Sequence, residues 1–284
     1  ANLLFEPWTI GRDIKGSSPA PYRVFTAYWR ACYKRGFPGI AHERPKKLPS
    51  CPREVASTPL QQLELLPQIP WDDGLKANWQ PGEKGALSRL EQFLDNSLQD
   101  YPDRRDQPAL PATSMLSPYL HFGEIGPRQI SQAVHQREAM SRKGRSIEVF
   151  LRQVGWREFA HHLLFHFPLS DLRPLNERFA AFPWRHDYSD DLCAWQQGVT
   201  GIPLVDAGMR ELWHTGWMHN RVRMVVASFL TKNLLIPWQE GAAWFWDTLV
   251  DADLANNSMG WQWVAGCGAD AAPYFRVFNP VLQS

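Results

Sequence analysis

The sequence predicts an all-α protein. Apolar residues recur at three- and four-residue intervals through most of the chain, whereas the alternating pattern of half-buried strands is scarce. Prolines mark helix boundaries: Pro127 and Pro203 stand where a first helical turn accepts proline, and Pro168 and Pro237 follow helical segments. A length of 284 residues, a net charge of +1 and 44% hydrophobic residues are typical of a globular protein and exclude the disordered and fibrous classes.

Periodicity predicts the main helices in chain order. They lie at 83–98, 125–141, 146–167, 203–216 and 217–235. Residues 38–82 are rich in proline and lack periodicity, so we expect a long ordered connection there, with one short helix near 58–66. The prediction therefore divides the chain into residues 1–100, which include this connection, and a helical core over 101–284. The aromatic first residues indicate a fragment of a longer protein.

Several classes of protein are excluded by what the sequence lacks. No apolar run reaches the roughly 18 residues of a membrane span, and the first residues lack the pattern of a signal peptide, so we expect a cytoplasmic protein and no membrane partner. The glycine-containing segment 198–203 has no G-K-[ST], and 266–271 lacks both a following helix pattern and a later acidic residue. Neither a P-loop nor a Rossmann site is predicted.

The cysteines and histidines predict no metal site. Four cysteines lie far apart with no C-x-x-C pair: Cys32, Cys51, Cys193 and Cys267. We expect reduced, buried thiols rather than a zinc site, an iron–sulfur cluster or a disulfide. Three histidines stand close together in one predicted helix: His161, His162 and His166. Only His162 and His166 lie one helical turn apart, and a metal site would also need a third ligand and a polar pocket. Because the surroundings are apolar, we expect structural histidines that are partly exposed or hydrogen-bonded.

Two predicted helices carry a polar face of similar composition. In the helix at 217–235, an amide, a guanidinium and a thioether share one face, at Asn220, Arg223 and Met224. The opposite face is apolar and comprises Val222, Val225, Val226 and Phe229. The helix at 146–167 repeats the arrangement with Gln153, Trp156 and Arg157. Either face alone could be a partly solvated surface; the repetition favours a binding site.

Hydroxyl groups precede a further predicted helix start. Thr113, Ser114 and Ser117 stand ahead of Pro118, and hydroxyls beside free backbone N–H groups suit a phosphate. Ordinary capping would explain only one of the three.

Acids, amides and indoles are crowded into residues 251–263, which read DADLANNSMGWQW. Nine of the 14 tryptophans fall within residues 184–263, a concentration that a hydrophobic core does not require.

Four long motifs resemble those of one family. They are DYPDRRDQPALPATSMLSPYLHFGEIGPRQI, FLRQVGWREF, TGIPLVDAGMRELWHTGWMHNRVRM and DADLANNSMGWQW followed by APYFRVFNP. In this order they are similar to the helical FAD-binding domain of the DNA photolyase and cryptochrome superfamily. The resemblance covers essentially the whole chain. Members carry an α/β antenna domain before this region and a short tail after it, and both are absent from this sequence.

The resemblance implies a non-covalent FAD. The pyrophosphate and its surroundings would be held by Tyr101, Thr113, Ser114, Leu116, Ser117 and Arg157. The isoalloxazine and ribityl groups would be surrounded by Asn220, Arg223, Asp251, Asp253 and Asn257, with Arg223 paired to Asp251. Asn257 would face flavin N5, where plant cryptochromes carry an aspartate. An antenna chromophore is not specified by this part of the protein, and a folate is one candidate.

The resemblance also divides the aromatic and basic residues by task. The tryptophan chain that conducts electrons from the surface to the flavin would be Trp261, Trp238 and Trp184. Trp156 and Trp263 would stack on the lesion, and Gln153, Asn220 and Met224 would face it. If the segment ends in a helix, Trp261 and Trp263 point about 200° apart. The DNA backbone would be held by Arg105, Arg221 and Arg276.

The implied activity is light-driven repair of cyclobutane pyrimidine dimers by electron transfer from reduced FAD to a flipped-out lesion. Three motifs, VGWREFAHHLLFHFP, RPLNERFAAFPW and VDAGMRELW, resemble plant cryptochromes and the bacterial class III dimer photolyases. Asn220 and Met224 resemble the dimer type, whereas Gln153 departs from the usual glutamate. A cryptochrome photoreceptor and a six-four photolyase remain the alternatives. The expected partner is dimer-containing DNA at the nucleoid, with no obligate protein partner.

Overall fold

The computed structural model describes residues 3–11, 20–37, 45–50, 55–141 and 144–282. Across these residues the chain forms α-helices and short helical turns without a strand, which confirms the all-α prediction. In chain order the α-helices of the described residues are α1 Phe25–Arg35, α2 Asp73–Asn78, α3 Glu83–Asn96, α4 Tyr101–Arg104, α5 Ser117–His121, α6 Pro127–Ser141, α7 Gly144–His166, α8 Ser189–Gln197, α9 Pro203–Thr215, α10 Asn220–Ser228, α11 Trp238–Thr248 and α12 Leu254–Ala265. Two 3-10 turns, Leu60–Leu63 and Glu177–Ala181, and a π-helical turn, Phe229–Asn233, complete the helical elements described.

The five helices predicted from periodicity are confirmed as α3, α6, α7, α9 and α10. Helix α10 begins three residues later than predicted, because His219 adopts an extended backbone and its Nδ1 accepts a hydrogen bond from the backbone N–H of Arg221. Its last predicted turn is π-helical. Helices α1, α4, α8, α11 and α12 were not predicted from periodicity.

The proline-rich connection is partly described. The short helix predicted near 58–66 is present as the 3-10 turn Leu60–Leu63, and a second short helix, α2, was not predicted. Gly74 of α2 lies so close to α9 that a Cβ would come 2.0 Å from the carbonyl oxygen of His214. Packing against α9 therefore stabilises a six-residue helix that would be marginal alone. Residues 38–44 and 51–54 of the connection lie outside the described residues.

Two apolar clusters make up the core. The first is formed by α1 and α3–α7 together with the N-terminal segment, and the second by α8–α12 with the C-terminal segment. Helix α12 belongs to both, because Met259 packs against the first cluster while Trp261 and Val264 are buried in the second. Helix α12 is thus the element that joins the two halves of the domain.

Helix α12 also approaches α11 very closely. A Cβ on Gly241 would come 2.0 Å from the ring of Trp261, so the absence of a side chain at Gly241 allows the indole to pack closely against α11. Of the helices described, none is long and apolar enough to span a bilayer.

The thiols and one histidine, His162, differ in part from expectation. Cys32, Cys193 and Cys267 are free thiols, as predicted, but Cys193 is exposed because it lies on the outer side of α8; Cys51 lies outside the described residues. His162 was expected to be partly exposed or hydrogen-bonded. It is fully buried, and burial lowers its pKa to about 4. His162 is therefore a neutral core residue.

Candidate functional site

An ion pair joins α10 to the segment before α12. Arg223 NH1 lies 3.1 Å from Asp251 Oδ1, and NH2 lies 2.9 Å from Oδ2, so both prongs of the guanidinium are used. Its Nε donates to the carbonyl oxygen of Met218 at 2.7 Å, and the Asp251 carboxylate is almost completely buried. The pairing expected for these two residues is therefore present, with the geometry of a strong charge-assisted interaction.

Asp253 holds the start of α12. Its Oδ1 accepts hydrogen bonds from the backbone N–H of Asn256 at 2.9 Å and from the Asn256 amide at 2.6 Å. Its Oδ2 lies 3.3 Å from Nε2 of His161 on α7. Burial alone would raise the pKa of this carboxyl, but the hydrogen bonds from His161 and Asn256 together hold it well below its ordinary value. Asp253 is therefore an anion at neutral pH.

Asn257 is held between α12 and α11. Its Nδ2 donates to the carbonyl oxygen of Ala242 at 2.9 Å. Because that carbonyl can only accept, the amide orientation is determined, and Oδ1 is the atom left to face a partner as an acceptor. Asn257 is half-buried, one turn before the buried Trp261.

The predicted phosphate-binding hydroxyls line a cleft. Thr113 and Ser114 are half-buried beside a cleft of about 440 Å³ that also contains Arg89, Arg104 and polar groups of α3. Neither hydroxyl makes a hydrogen bond to the described residues. The next residue, Met115, has φ of +50°, a left-handed conformation that is costly for a residue with a side chain. The chain thus turns sharply at the hydroxyl pair.

The other residues expected near the pyrophosphate follow this turn or lie on α4 and α7, and none of them lines the cleft. Leu116 is buried, Ser117 is exposed at the first position of α5, and Tyr101 is buried at the start of α4. Burial raises the pKa of the Tyr101 phenol, so it is neutral. Arg157 lies on α7 with NH1 3.2 Å from Glu158 Oε1.

The expected lesion-side residues occupy three helices, α7, α10 and α12. Trp156 on α7 stacks on Phe25, with ring centroids 3.8 Å apart and planes 11° apart. Trp263 on α12 stacks on Phe278, with centroids 6.0 Å apart. Each indole therefore has its own phenylalanine partner. The half-buried amide of Gln153, one turn before Trp156, has a long 3.5 Å contact from Nε2 to the carbonyl oxygen of Val149.

Asn220 and Met224 share a face of α10, as predicted. The amide Nδ2 of Asn220 lies 3.8 Å from the sulfur of Met224. Val222, Val225 and Val226 on the opposite side are buried.

The three tryptophans of the expected electron chain lie in the second cluster. Trp261 and Trp238 are buried, and Trp184 is half-buried beside Phe182. Two of the three are therefore interior residues, and Trp184 is the most exposed of the three. Trp261 and Trp263 both belong to α12 but pack against different neighbours, since Trp261 contacts Phe245 at 5.0 Å between centroids.

Two of the three expected DNA-contacting arginines share a carboxylate. Asp106 Oδ2 lies 2.7 Å from Arg221 NH2, and Asp106 Oδ1 lies 3.5 Å from Arg105 Nε. The guanidinium of Arg105 also lies over the ring of Tyr101. Arg276 is exposed, with its guanidinium 4.8 Å from the Phe278 ring that stacks on Trp263. Arginines from three distant segments are thus tied to the site.

Two residues of the site were missed from the sequence. Asp106 follows Arg105 directly, and an acid beside a predicted cation was the available signal. His161 lies one turn beyond Arg157 on α7, and that spacing was the signal for a shared face. Both were overlooked because their partners, Arg221 and Asp253, come from distant parts of the chain.

The comparisons with known proteins identify the family and the fold. Residues 150–284 match the family described as the FAD binding domain of DNA photolyase. A deoxyribodipyrimidine photo-lyase of Agrobacterium fabrum is 48% identical, covering 99% of this chain and 58% of its own length, and cryptochrome-2 of Arabidopsis thaliana is 39% identical, covering 99% and 47%. The crystal structure of a bacterial class III photolyase from Agrobacterium tumefaciens superposes with a TM-score of 0.92 at 48% identity, over 99% of this chain and 57% of that one.

The fold and the polar site therefore define a helical flavin-binding domain. The chain belongs to the DNA photolyase and cryptochrome family, and it contains the family's FAD-binding domain. It spans somewhat less than three fifths of the length of the photolyases it matches.

The residues present fit FAD. Thr113 and Ser114 offer hydroxyls with no partner among the described residues, beside a strained turn, as a pyrophosphate requires. Asp251 is paired with the guanidinium of Arg223, Asp253 is held ionised by donors on His161 and Asn256, and Asn257 offers a free carbonyl oxygen. A ligand rich in phosphate oxygens and ring N–H groups matches this set.

Proposed function

We propose that this chain is the FAD- and lesion-binding part of a deoxyribodipyrimidine photolyase, which uses light to repair cyclobutane pyrimidine dimers in DNA. Bound FAD would supply the chemistry, by electron transfer to the flipped-out lesion. The observation that carries the proposal is the position of α12, which contacts both apolar clusters and presents Asp253, Asn257, Trp261 and Trp263 on one helix.

The proposed flavin-side residues act by placement and electrostatics. Arg223 and Asp251 hold α10 against the start of α12 and keep a buried charge compensated. Asn257, anchored through Nδ2 on Ala242, would present its carbonyl oxygen to the N5–H of the reduced ring. Thr113, Ser114, Ser117 and Arg157 are proposed to hold the pyrophosphate.

The proposed lesion-side residues bind by stacking. Indole faces accept an extruded base pair without sequence-specific hydrogen bonds, and a damaged step is inexpensive to unstack. Trp156 and Trp263 are supported on Phe25 and Phe278, so each indole plane is held in place before a lesion arrives. Gln153 would donate to a carbonyl oxygen of the dimer.

The remaining assignments concern electrons and DNA. Trp184, Trp238 and Trp261 would conduct electrons from the surface to the site, and the half-buried Trp184 would be the surface end. Arg105, Arg221 and Arg276 would contact phosphates, which would associate the protein with the bacterial nucleoid. We further propose that residues 1–100 form the N-terminal part of the helical domain and that residues 101–284 form its FAD- and lesion-binding core.

Two measurements test the proposal. Denaturation of the purified protein should release FAD at one molecule per chain without a covalent adduct. Illumination of the protein with DNA that carries cyclobutane dimers should restore normal thymines, whereas six-four lesions should remain. A protein that binds no flavin contradicts the cofactor assignment, and one that binds FAD without repairing dimers contradicts the activity.

A cryptochrome photoreceptor without repair is the second candidate. It is favoured by the 39% identity to cryptochrome-2 of Arabidopsis thaliana, and Gln153 at the lesion side leaves it open. Asn257, Met224 and the Trp156/Trp263 pair favour the photolyase instead. Light-dependent loss of dimers separates the two, because only a photolyase consumes the lesion.

A further inference from the structure

His161 contacts two oxygen atoms from different helices. On α7, its Nδ1 lies 3.0 Å from the carbonyl oxygen of Arg157. Toward α12, its Nε2 lies 3.3 Å from Oδ2 of Asp253. The ring therefore spans the junction between α7 and α12, which is the junction between the two apolar clusters.

Both of these oxygen atoms can only accept hydrogen bonds. A carbonyl oxygen carries no proton, and Asp253 is ionised because its other oxygen already accepts from the backbone and side chain of Asn256. A neutral imidazole has one N–H and would leave one of its nitrogens facing an acceptor with no proton between them. Only the imidazolium, with two N–H donors, satisfies both contacts.

We propose that His161 is a positioning residue which, as a cation, links α7 to α12 through Asp253 and so sets the relative placement of Arg157 and the first turn of α12. Asp253 and Arg157 belong to the flavin site under the proposed function, and the inference rests on that function for this assignment alone. The hydrogen bonds that carry it are independent of any cofactor.

The charges around His161 favour the cation. Asp253 faces it from α12, and on α7 its charged neighbours are Arg157 and the carboxylate of Glu158. The N-terminal segment contributes the backbone N–H groups of Leu4 and Phe5, which donate to Glu158 Oε2 at 2.7 and 3.0 Å. Burial opposes protonation of His161 and Arg157 repels it, yet the hydrogen bond and attraction of Asp253 raise its pKa above the ordinary value.

The direction of the pH dependence follows from this shift. A histidine whose pKa is raised by folding contributes stability that is fully present below its unfolded pKa, near 6.5, and is lost as pH rises through the folded pKa. Asp253 has a lowered pKa, so its contribution is lost only in strong acid. The hydrogen bond between His161 and Asp253 should therefore be intact in weak acid and should weaken on the alkaline side of neutrality.

The test compares two substitutions that separate charge from shape. His161→Arg keeps a permanent cation with several donors, whereas His161→Gln keeps a donor and an acceptor without charge. His214→Gln, at an exposed position of α9, is the matched control. Hydrogen-exchange protection factors of the first turn of α12, and thermal midpoints, are measured in the dark on the protein as isolated, from about pH 5.5 to about pH 9.

In the wild-type protein and the control, protection at the start of α12 should fall by about tenfold across this range, the factor expected for one charge-assisted hydrogen bond. His161→Arg should remove most of this fall. His161→Gln should show low protection at every pH, equal to that of the wild-type protein in alkali.

The opposite results overturn the proposal. If His161→Gln matches the wild-type protein at all pH values, or if the arginine variant behaves like the glutamine variant, charge at this position does not hold the helices. Should His161→Gln fail to fold, an NMR titration of the wild-type ring decides, since an imidazole pKa at or below the ordinary value also overturns it. None of these readouts requires repair, so a failure of the proposed activity leaves them interpretable.

Discussion

Arg223 and Asp251 form a two-pronged ion pair that joins α10 to the segment leading into α12, with N–O distances of 3.1 and 2.9 Å. The carboxylate is nearly inaccessible to water, whereas the guanidinium remains about one quarter exposed. The pair therefore fixes the start of the helix that carries most of the proposed site. Loss of this ion pair should lower both the stability of the protein and its affinity for flavin.

Arg223→Ala is expected to lower the free energy of unfolding by about 3 kcal/mol, because it leaves the carboxylate of Asp251 buried without its counter-charge. Arg185→Ala is the matched control, since its pair with Asp191 is exposed at both ends and should contribute no more than about 1 kcal/mol. Urea unfolding of both variants provides the comparison. Equal decreases in the free energy of unfolding would show that the buried pair contributes no more to stability than the exposed pair does.

Trp184→Phe is expected to block photoreduction of oxidised FAD in the presence of an external reductant, because phenylalanine is far harder to oxidise than an indole. Dimer repair should persist once the flavin is reduced chemically. Absorbance during illumination reports the first outcome. Trp71→Phe, at an exposed position ahead of α2, should leave photoreduction unchanged; normal photoreduction in the Trp184 variant would show that electrons enter elsewhere.

Arg221→Ala should weaken the binding of damaged and undamaged DNA alike and reduce the salt dependence of binding by about one unit in slope, as expected for one lost phosphate contact. Binding titrations at several salt concentrations measure both quantities. Arg105→Ala and Arg276→Ala should behave similarly. A loss confined to damaged DNA would indicate that the arginine contacts the lesion.

Asp106→Asn should act in the opposite direction. Its carboxylate lies 2.7 Å from Arg221 and 3.5 Å from Arg105, so it competes with DNA phosphates for both cations. Removing its charge should strengthen binding of either DNA by about twofold to fivefold at low salt. Weaker binding in the same titration would instead make Asp106 a support that holds the arginines toward the DNA.

Gln153→Glu should raise the repair of cyclobutane dimers by about twofold to tenfold, because a carboxyl group can supply a hydrogen bond that the amide lacks, worth roughly 0.5–1.5 kcal/mol. No six-four repair should appear. The yield per absorbed photon measures the effect, and Gln197→Glu on the exposed end of α8 is the control. A lower yield would show that the site is built around the amide and would argue against the assigned lesion class.

Local pattern was sufficient for much of the fold. The periodic helices α3, α6, α7, α9 and α10 were predictable because their apolar faces repeat at the helical spacing over several turns. Helix α11 was not, since Trp238, Trp244 and Trp246 surround it on more than one side. The glycine at position 241 is required only because the ring of Trp261 packs against it, and this contact cannot be read from the sequence.

By itself, the sequence determined the all-α class, the polar faces of α7 and α10, and, through its four motifs, the family. Only the tertiary structure decided which partner each polar side chain contacts. Asp106 lies between Arg105 and Arg221, Asn257 donates to Ala242, and His161 lies between Arg157 and Asp253. Helical spacing specifies which residues share a face, because it depends on backbone geometry within one segment. The protonation of His161 depends on an acceptor 92 positions away in sequence, which only packing of α12 against α7 brings within 3.3 Å.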